Sequence, residues 1–143
     1  MSRVGVPMAH MLAASPLAGL RMPMSVASKM FTLVNHAGAL RAFLADKTSA
    51  GKWVTMAFLS SYGRYQPRIE PEDFAVCPIL LTQPAQDRWT PLHLSELVLR
   101  RIRRVPVQTV MLEGAGHYPL EQPGIDQMVD AVFAFCQAGA KAV

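Results

Sequence analysis

Asp87 and His117 are the residues of this chain whose types and spacing suit joint chemistry. An imidazole titrates close to working pH, so it can take a proton in one step and return it in the next. It needs an acid beside it to fix its tautomer and steady the imidazolium. Asp87 stands in the loop QPAQDRWTP and His117 in the loop EGAGHYP, and each loop follows an apolar run, CPILLT and VQTVML. Short runs rich in Val, Ile, Thr and Leu, punctuated by Pro84 or by Gly114 and Gly116, read as buried strands. Between them Leu94, Leu97, Val98, Ile102 and Val105 share one face of a helix predicted over residues 91–105. Strand, helix and strand of this length imply parallel neighbours joined by a right-handed crossover, with both C-terminal strand ends at one edge. Asp87 and His117 would then open on one crevice. Glu113 is a competing orienter for the histidine. A plain surface-loop role is the alternative for His117, and a loop or helix-capping role is the alternative for Asp87.

On these motifs the chain resembles the α/β-hydrolase family, in its last two core strands, the helix between them and the last helix. DRWTP matches the place where the family's triad acid follows its next-to-last strand. GAGHYPLEQP matches the place where its histidine follows the final strand, and the acid-before-histidine order agrees. The resemblance implies that Asp87 is the triad acid and that His117 takes the nucleophile's proton and later returns it to the leaving group. It implies no cofactor and no metal. Trp89 is placed to cover the acid loop as a substrate-side residue, Thr90 to cap the following helix, and Pro91 to fill a first-turn position. Glu121 reads as a structural loop acid.

The family's nucleophile elbow, G-x-S-x-G, does not occur. Ser2, Ser15, Ser25, Ser28, Ser49, Ser60, Ser61 and Ser95 all lack glycines at both flanking places. The expected fold class is therefore α/β, a partial α/β-hydrolase fold. A helical cap-like region over residues 1–66 precedes the last two parallel core strands with their crossover and C-terminal helices over residues 67–143.

The first part reads as helical, with breaks at Pro16, Pro23 and near Gly51. Val26, Met30, Leu33 and Val34 follow helical spacing, and Asn35 can open a further helix through Ala39, Leu40, Phe43 and Leu44. After the turn TSAGK, the stretch from Trp53 to Tyr65 reads as a helix apolar on nearly every side, which must be sandwiched or line a cavity. Trp53, Phe58, Tyr62 and Tyr65 are wall candidates for an apolar acyl pocket, with packing as the alternative for each. Met8, Met11, Met22, Met24, Met30 and Met56 suit either an adaptable apolar surface or core filling. The linker QPRIEPEDFAVCP reads as an extended crossing. In the last helix Ile125, Met128, Val129, Val132, Phe133 and Cys136 form one apolar stripe expected to pack across the final strands.

The chain is unusually apolar for its size. The chain has 143 residues, of which 51% are hydrophobic and only 17% charged, against roughly 25% in typical soluble domains. Some of this apolar surface is expected to belong against strands and helices outside the chain. The net charge of +4 owes much to Arg100, Arg101, Arg103 and Arg104, read as the solvated face of a helix with Glu96 pairing Arg100. No aromatic residues interleave with them, which argues against a nucleic-acid partner. No run is long enough to span a bilayer. Pro7 and His10 interrupt the one N-terminal stretch that faintly imitates a signal peptide. Cys77 and Cys136 are expected as buried, reduced thiols outside any metal-ligand spacing, which fits the cytoplasm.

The function these features imply is hydrolysis of a small-molecule ester with apolar acyl groups, in the manner of a serine esterase or lipase. The alternatives are a fold relative with an aspartate nucleophile, such as a haloalkane dehalogenase or epoxide hydrolase, and a non-catalytic remnant. The chain alone is expected to be inactive, because members of a triad act as a unit. A strand edge left bare invites self-association.

Overall fold

The computed structural model describes residues 5–24, 28, 30–46 and 53–140. It divides into two compact units, one formed by Met1–Phe31 with Arg41–Arg68 and the other by Thr32–Leu40 with Ile69–Val143.

The first unit begins with helix α1 (Gly5–Ala13) and a 3-10 turn at Pro16–Gly19, where the Ser15 hydroxyl accepts from the Leu17 N–H. Strand β1 (Arg21–Pro23) follows, and after a 3-10 turn at Met30–Thr32 helix α2 (Ala37–Ala45) crosses the division between the units at Leu40. Strand β2 (Trp53–Thr55) pairs antiparallel with β1 and runs straight into helix α3 (Met56–Gly63). The switch from strand to helix has a local cause: Thr55 Oγ1 accepts from the Phe58 N–H and caps the helix. Helix α1 packs on α3. There the buried Ser60 hydroxyl lies 2.8 Å from His10 Nδ1 and accepts from Arg64 Nη2 at 2.6 Å.

Several expectations are corrected in this unit. The stretch from Trp53 opens as a strand, and only Met56–Gly63 is helical. It is not enclosed, because Met56 and Ser60, one turn apart, take its covered side. Trp53, Phe58, Tyr62 and Tyr65 are all exposed, and Phe58 and Tyr62 stack on each other at 6.3 Å. Of the methionines, Met56 is core while Met8 and Met11 are exposed. In the segment Thr32–Leu40, which belongs to the second unit, Leu33 and Val34 are buried but lie outside any helix, and His36 Nδ1 accepts from the Ala39 N–H, so the next helix starts after Asn35. Val26 and the turn at residues 48–52 lie outside the described residues.

In the second unit strands β3 (Ile79–Pro84) and β4 (Val107–Leu112) pair in parallel, with Ile79 opposite Val107 and Pro84 opposite Leu112. Helix α4 (Leu92–Leu99) lies in the crossover, and helix α5 (Gly124–Ala140) follows β4 and packs against both strands. The strand–helix–strand order thus delivers two parallel tips at one edge. Among the described residues the sheet has these two strands alone, so each has one unpaired edge.

Here too the sequence misleads in detail. Helix α4 stops at Leu99 rather than at residue 105. Pro106 disfavours a helical Val105, and two of the arginines are drawn elsewhere. Arg101 binds Glu70 and Glu72, and Arg104 binds Asp73 at 2.8 Å, so they fasten to the acidic linker rather than forming a helix face. Arg100 does pair with Glu96 at 2.9 Å. Pro91 is itself the cap residue and no side chain caps the helix, so Thr90 does not do so. Helix α5 turns Gly124, Met128, Ala131 and Phe135 inward at helical spacing and leaves Val129, Val132, Phe133 and Cys136 exposed. The helix is apolar on two sides, and the side with small residues is the one that can approach closely: a Cβ on Gly124 would stand 2.7 Å from the Ala115 methyl. Cys77, which precedes the strand, and Cys136 are both exposed. No described helix is long and apolar enough to cross a membrane.

Candidate active site

The two strand tips carry the site. The acid loop leaves β3 at Pro84, and the histidine loop leaves β4 at Leu112. Backbone bonds lace them together: Ala85 N–H donates to Leu112 O and Gln86 N–H to Ala115 O, each at 2.9 Å. The acid loop is closed at its neck by Gln83, a buried strand residue whose Nε2 donates to Pro84 O and Thr90 O. The histidine loop turns on Gly114, whose φ of +69° is a conformation L side chains rarely adopt. Glu121 holds it from below, accepting from the Gly116 and Leu120 N–H groups at 3.1 Å.

Between these loops Asp87 and His117 meet. His117 Nδ1 is 3.0 Å from Asp87 Oδ2, and the side chains are 29% and 3% exposed. The other carboxylate oxygen, Oδ1, accepts from the backbone N–H groups of Trp89 and Thr90, both at 2.8 Å. The loop therefore holds one oxygen and presents the second to the imidazole. Burial pushes the Asp87 carboxyl up, but the bonds from His117, Thr90 and Trp89 together outweigh it and hold the group below its ordinary value. An ionised carboxylate can only accept, so the ring proton belongs on Nδ1. Nε2 is then left as the position for proton exchange, which is general acid–base chemistry.

The His117 ring has two aromatic neighbours, Tyr118 at 5.5 Å and Trp89 at 6.2 Å, both tilted to it. A cavity of about 260 Å³ reaches the pair, walled by Leu81, Gln83, Leu112, Ser95, Pro119 and Met128. It is open and mostly apolar. Trp89 thus stands beside the histidine, whereas Trp53, Phe58, Tyr62 and Tyr65 belong to the other unit. Glu113 is exposed, and its N–H is held by Gln127 Oε1 at 2.7 Å. Among the described residues no cluster of three or more His, Cys, Asp or Glu side chains could hold a metal ion.

Two residues of this site carry no motif in the sequence. Gln83 reads in the sequence as the first residue of the acid loop, and nothing there marks it as a buried strand residue. Asn35 is far away in sequence and reads there as a helix start. In the structure its Nδ2 donates to Gln86 O at 3.2 Å, and its Oδ1 accepts from Arg88 Nη2 at 3.1 Å.

No family model matches the chain and no curated protein matches it. Among solved structures that resemble it is the crystal structure of Paleococcus ferrophilus monoacylglycerol lipase, at 13% sequence identity and a TM-score of 0.59. The match covers 93% of this chain and 52% of that lipase, so the chain spans about half the lipase's length. At this identity the likeness shows a shared fold, a mixed helix and strand architecture built on a parallel strand pair.

Proposed function

We propose that this chain carries the acid and the histidine of an α/β-hydrolase acting on esters, preferring apolar acyl groups. In this proposal Asp87 fixes the His117 tautomer and stabilises its imidazolium, while Nε2 takes the proton of a serine and returns it to the leaving alcohol. That serine comes from a segment outside these residues. In the same proposal residues 1–66 are a cap-like region, and Trp53, Phe58, Tyr62, Tyr65 and Trp89 are the candidate substrate-binding residues.

The observation that supports this most directly is the bond between His117 Nδ1 and an Asp87 oxygen whose partner oxygen is already engaged by two backbone N–H groups. A merely structural surface histidine has no need of a buried, pre-oriented carboxylate. The preference for apolar acyl groups rests on the Leu81, Leu112, Pro119 and Met128 walls of the neighbouring cavity. The fold shared with a lipase points the same way.

Hydrolysis of p-nitrophenyl esters by a polypeptide in which this chain follows a serine-bearing core tests the proposal. Asp87→Asn is expected to lower kcat by about 10⁴, the size of effect seen when a triad acid is neutralised and the histidine tautomer inverts. Full activity in both Asp87→Asn and His117→Ala refutes it. The chain alone is expected to show no esterase activity and to escape labelling by a fluorophosphonate probe, which needs an activated serine; stoichiometric labelling contradicts the assignment of the nucleophile to another segment.

A further inference from the structure

The short segment from Leu33 to Asn35 touches the immediate neighbours of both members of the pair. On the acid side, Asn35 Nδ2 donates to the carbonyl of Gln86 at 3.2 Å. Its Oδ1 accepts from Arg88 Nε at 3.3 Å and from Nη2 at 3.1 Å. One amide thus spans the residues before and after Asp87. On the histidine side, Tyr118 N–H donates to Leu33 O at 3.1 Å. A Cβ on Gly116 would stand 2.7 Å from Asn35 Cγ, so the glycine is what lets the amide rest against the histidine loop. The residues before and after His117 are held in turn.

Neither contact touches a reacting atom. Together they bridge, beside the backbone bonds, the two loops that carry Nδ1 and Oδ2 3.0 Å apart. A hydrogen bond between two loop tips is sensitive to such support, because a displacement of a fraction of an ångström weakens it steeply. Amide geometry matters here. An asparagine supplies a donor for Gln86 and an acceptor for Arg88 from one planar group, which no apolar residue can do and aspartate does only in part.

We propose that Asn35 is a positioning residue for the Asp87–His117 pair, clamping both loops so that Asp87 Oδ2 holds the proton of His117 on Nδ1. The inference rests on the acid–histidine role proposed above. Its test is histidine-ring ¹H–¹⁵N NMR of the full chain, read as the Nδ1–H to Nε2–H tautomer ratio, with thermal melting recorded alongside. A residue that only stabilises the fold moves the melt and leaves the tautomer ratio alone.

In the parent chain Nδ1–H is expected to dominate. Asn35→Ala is expected to shift the ratio about fivefold toward Nε2–H, the effect of one ordinary hydrogen bond, and Asn35→Asp to give a smaller shift because it keeps the acceptor for Arg88. Gly116→Ala leaves every hydrogen-bonding group in place and displaces the amide, so it is expected to reproduce the Asn35→Ala shift even where that variant folds poorly. Ratios within about twofold of the parent in both Asn35→Ala and Gly116→Ala overturn the clamp. An Asp87→Asn spectrum that keeps the parent ratio overturns the underlying acid–histidine contact, and the clamp with it.

Discussion

Removing the Asp87 carboxylate in two different ways separates what its two oxygens do. Asp87→Ala deletes both, leaving the N–H groups of Trp89 and Thr90 and the Nδ1 of His117 without their acceptor in a place where the side chain was 3% exposed. An unsatisfied buried donor costs about 1–3 kcal/mol, so the two backbone groups alone predict a loss of roughly 4 kcal/mol. Asp87→Asn keeps an Oδ1 acceptor for both backbone groups. It replaces Oδ2 with a donor, and the ring recovers a bond by adopting the Nε2–H tautomer, so the loss falls to about 1–2 kcal/mol. The prediction is the ordering and the gap of about 2 kcal/mol between the variants. The assay is urea unfolding in a Trp53→Phe background, where Trp89 is the sole indole and reports on the loop concerned. Equal losses in the two variants, or losses under about 0.5 kcal/mol in both, refute the division of labour between the oxygens.

Three further outcomes follow from the same geometry. Because Asp87 is held below its ordinary value of 3.8, the folded chain binds fewer protons there than the unfolded one. Its stabilising contribution is complete above that pH and lost as pH falls through the lower folded value, so the stability gap between parent and Asp87→Asn should close in acid; a pH-independent gap contradicts this. Gly124→Ala places a Cβ 2.7 Å from the Ala115 methyl and 2.9 Å from Glu113 O, whereas Gly19→Ala meets nothing within 4 Å. The first should lower the melting temperature by the equivalent of about 1–3 kcal/mol and the second leave it nearly unchanged. Finally, the unpaired edges of β3 and β4 should make the chain self-associate with rising concentration in light scattering, and a monodisperse monomer at high concentration counts against that.

The strand pair, its parallel sense and the loops holding Asp87 and His117 were legible because they rest on local signals: β-branched runs, a helical period between them, and Gly114 where φ must be positive. What was illegible depended on partners distant in sequence. Asn35 looks like a helix start, and the ring of His36 takes that task, freeing the amide for loops more than 50 residues away. The arginines after Leu99 look like a helix face until the acids of the linker claim two of them. Helix α5 offers two apolar sides, and periodicity cannot choose between them; the side taken carries Gly124, whose lack of a Cβ permits close approach to Ala115. Cys77 and the aromatic residues from Trp53 to Tyr65 show the limit of hydrophobicity as a guide to burial, since all are exposed.

The ion pairs of Arg101 and Arg104 with Glu70, Glu72 and Asp73 lie ahead of the two strands, at the end away from His117. All five side chains face water, so dissolved salt screens them over a Debye length of about 8 Å at physiological ionic strength. The Asp87 carboxylate, shielded from solvent, is far less open to that influence. Rising ionic strength is therefore expected to weaken these surface pairs while leaving the Asp87 contact largely untouched.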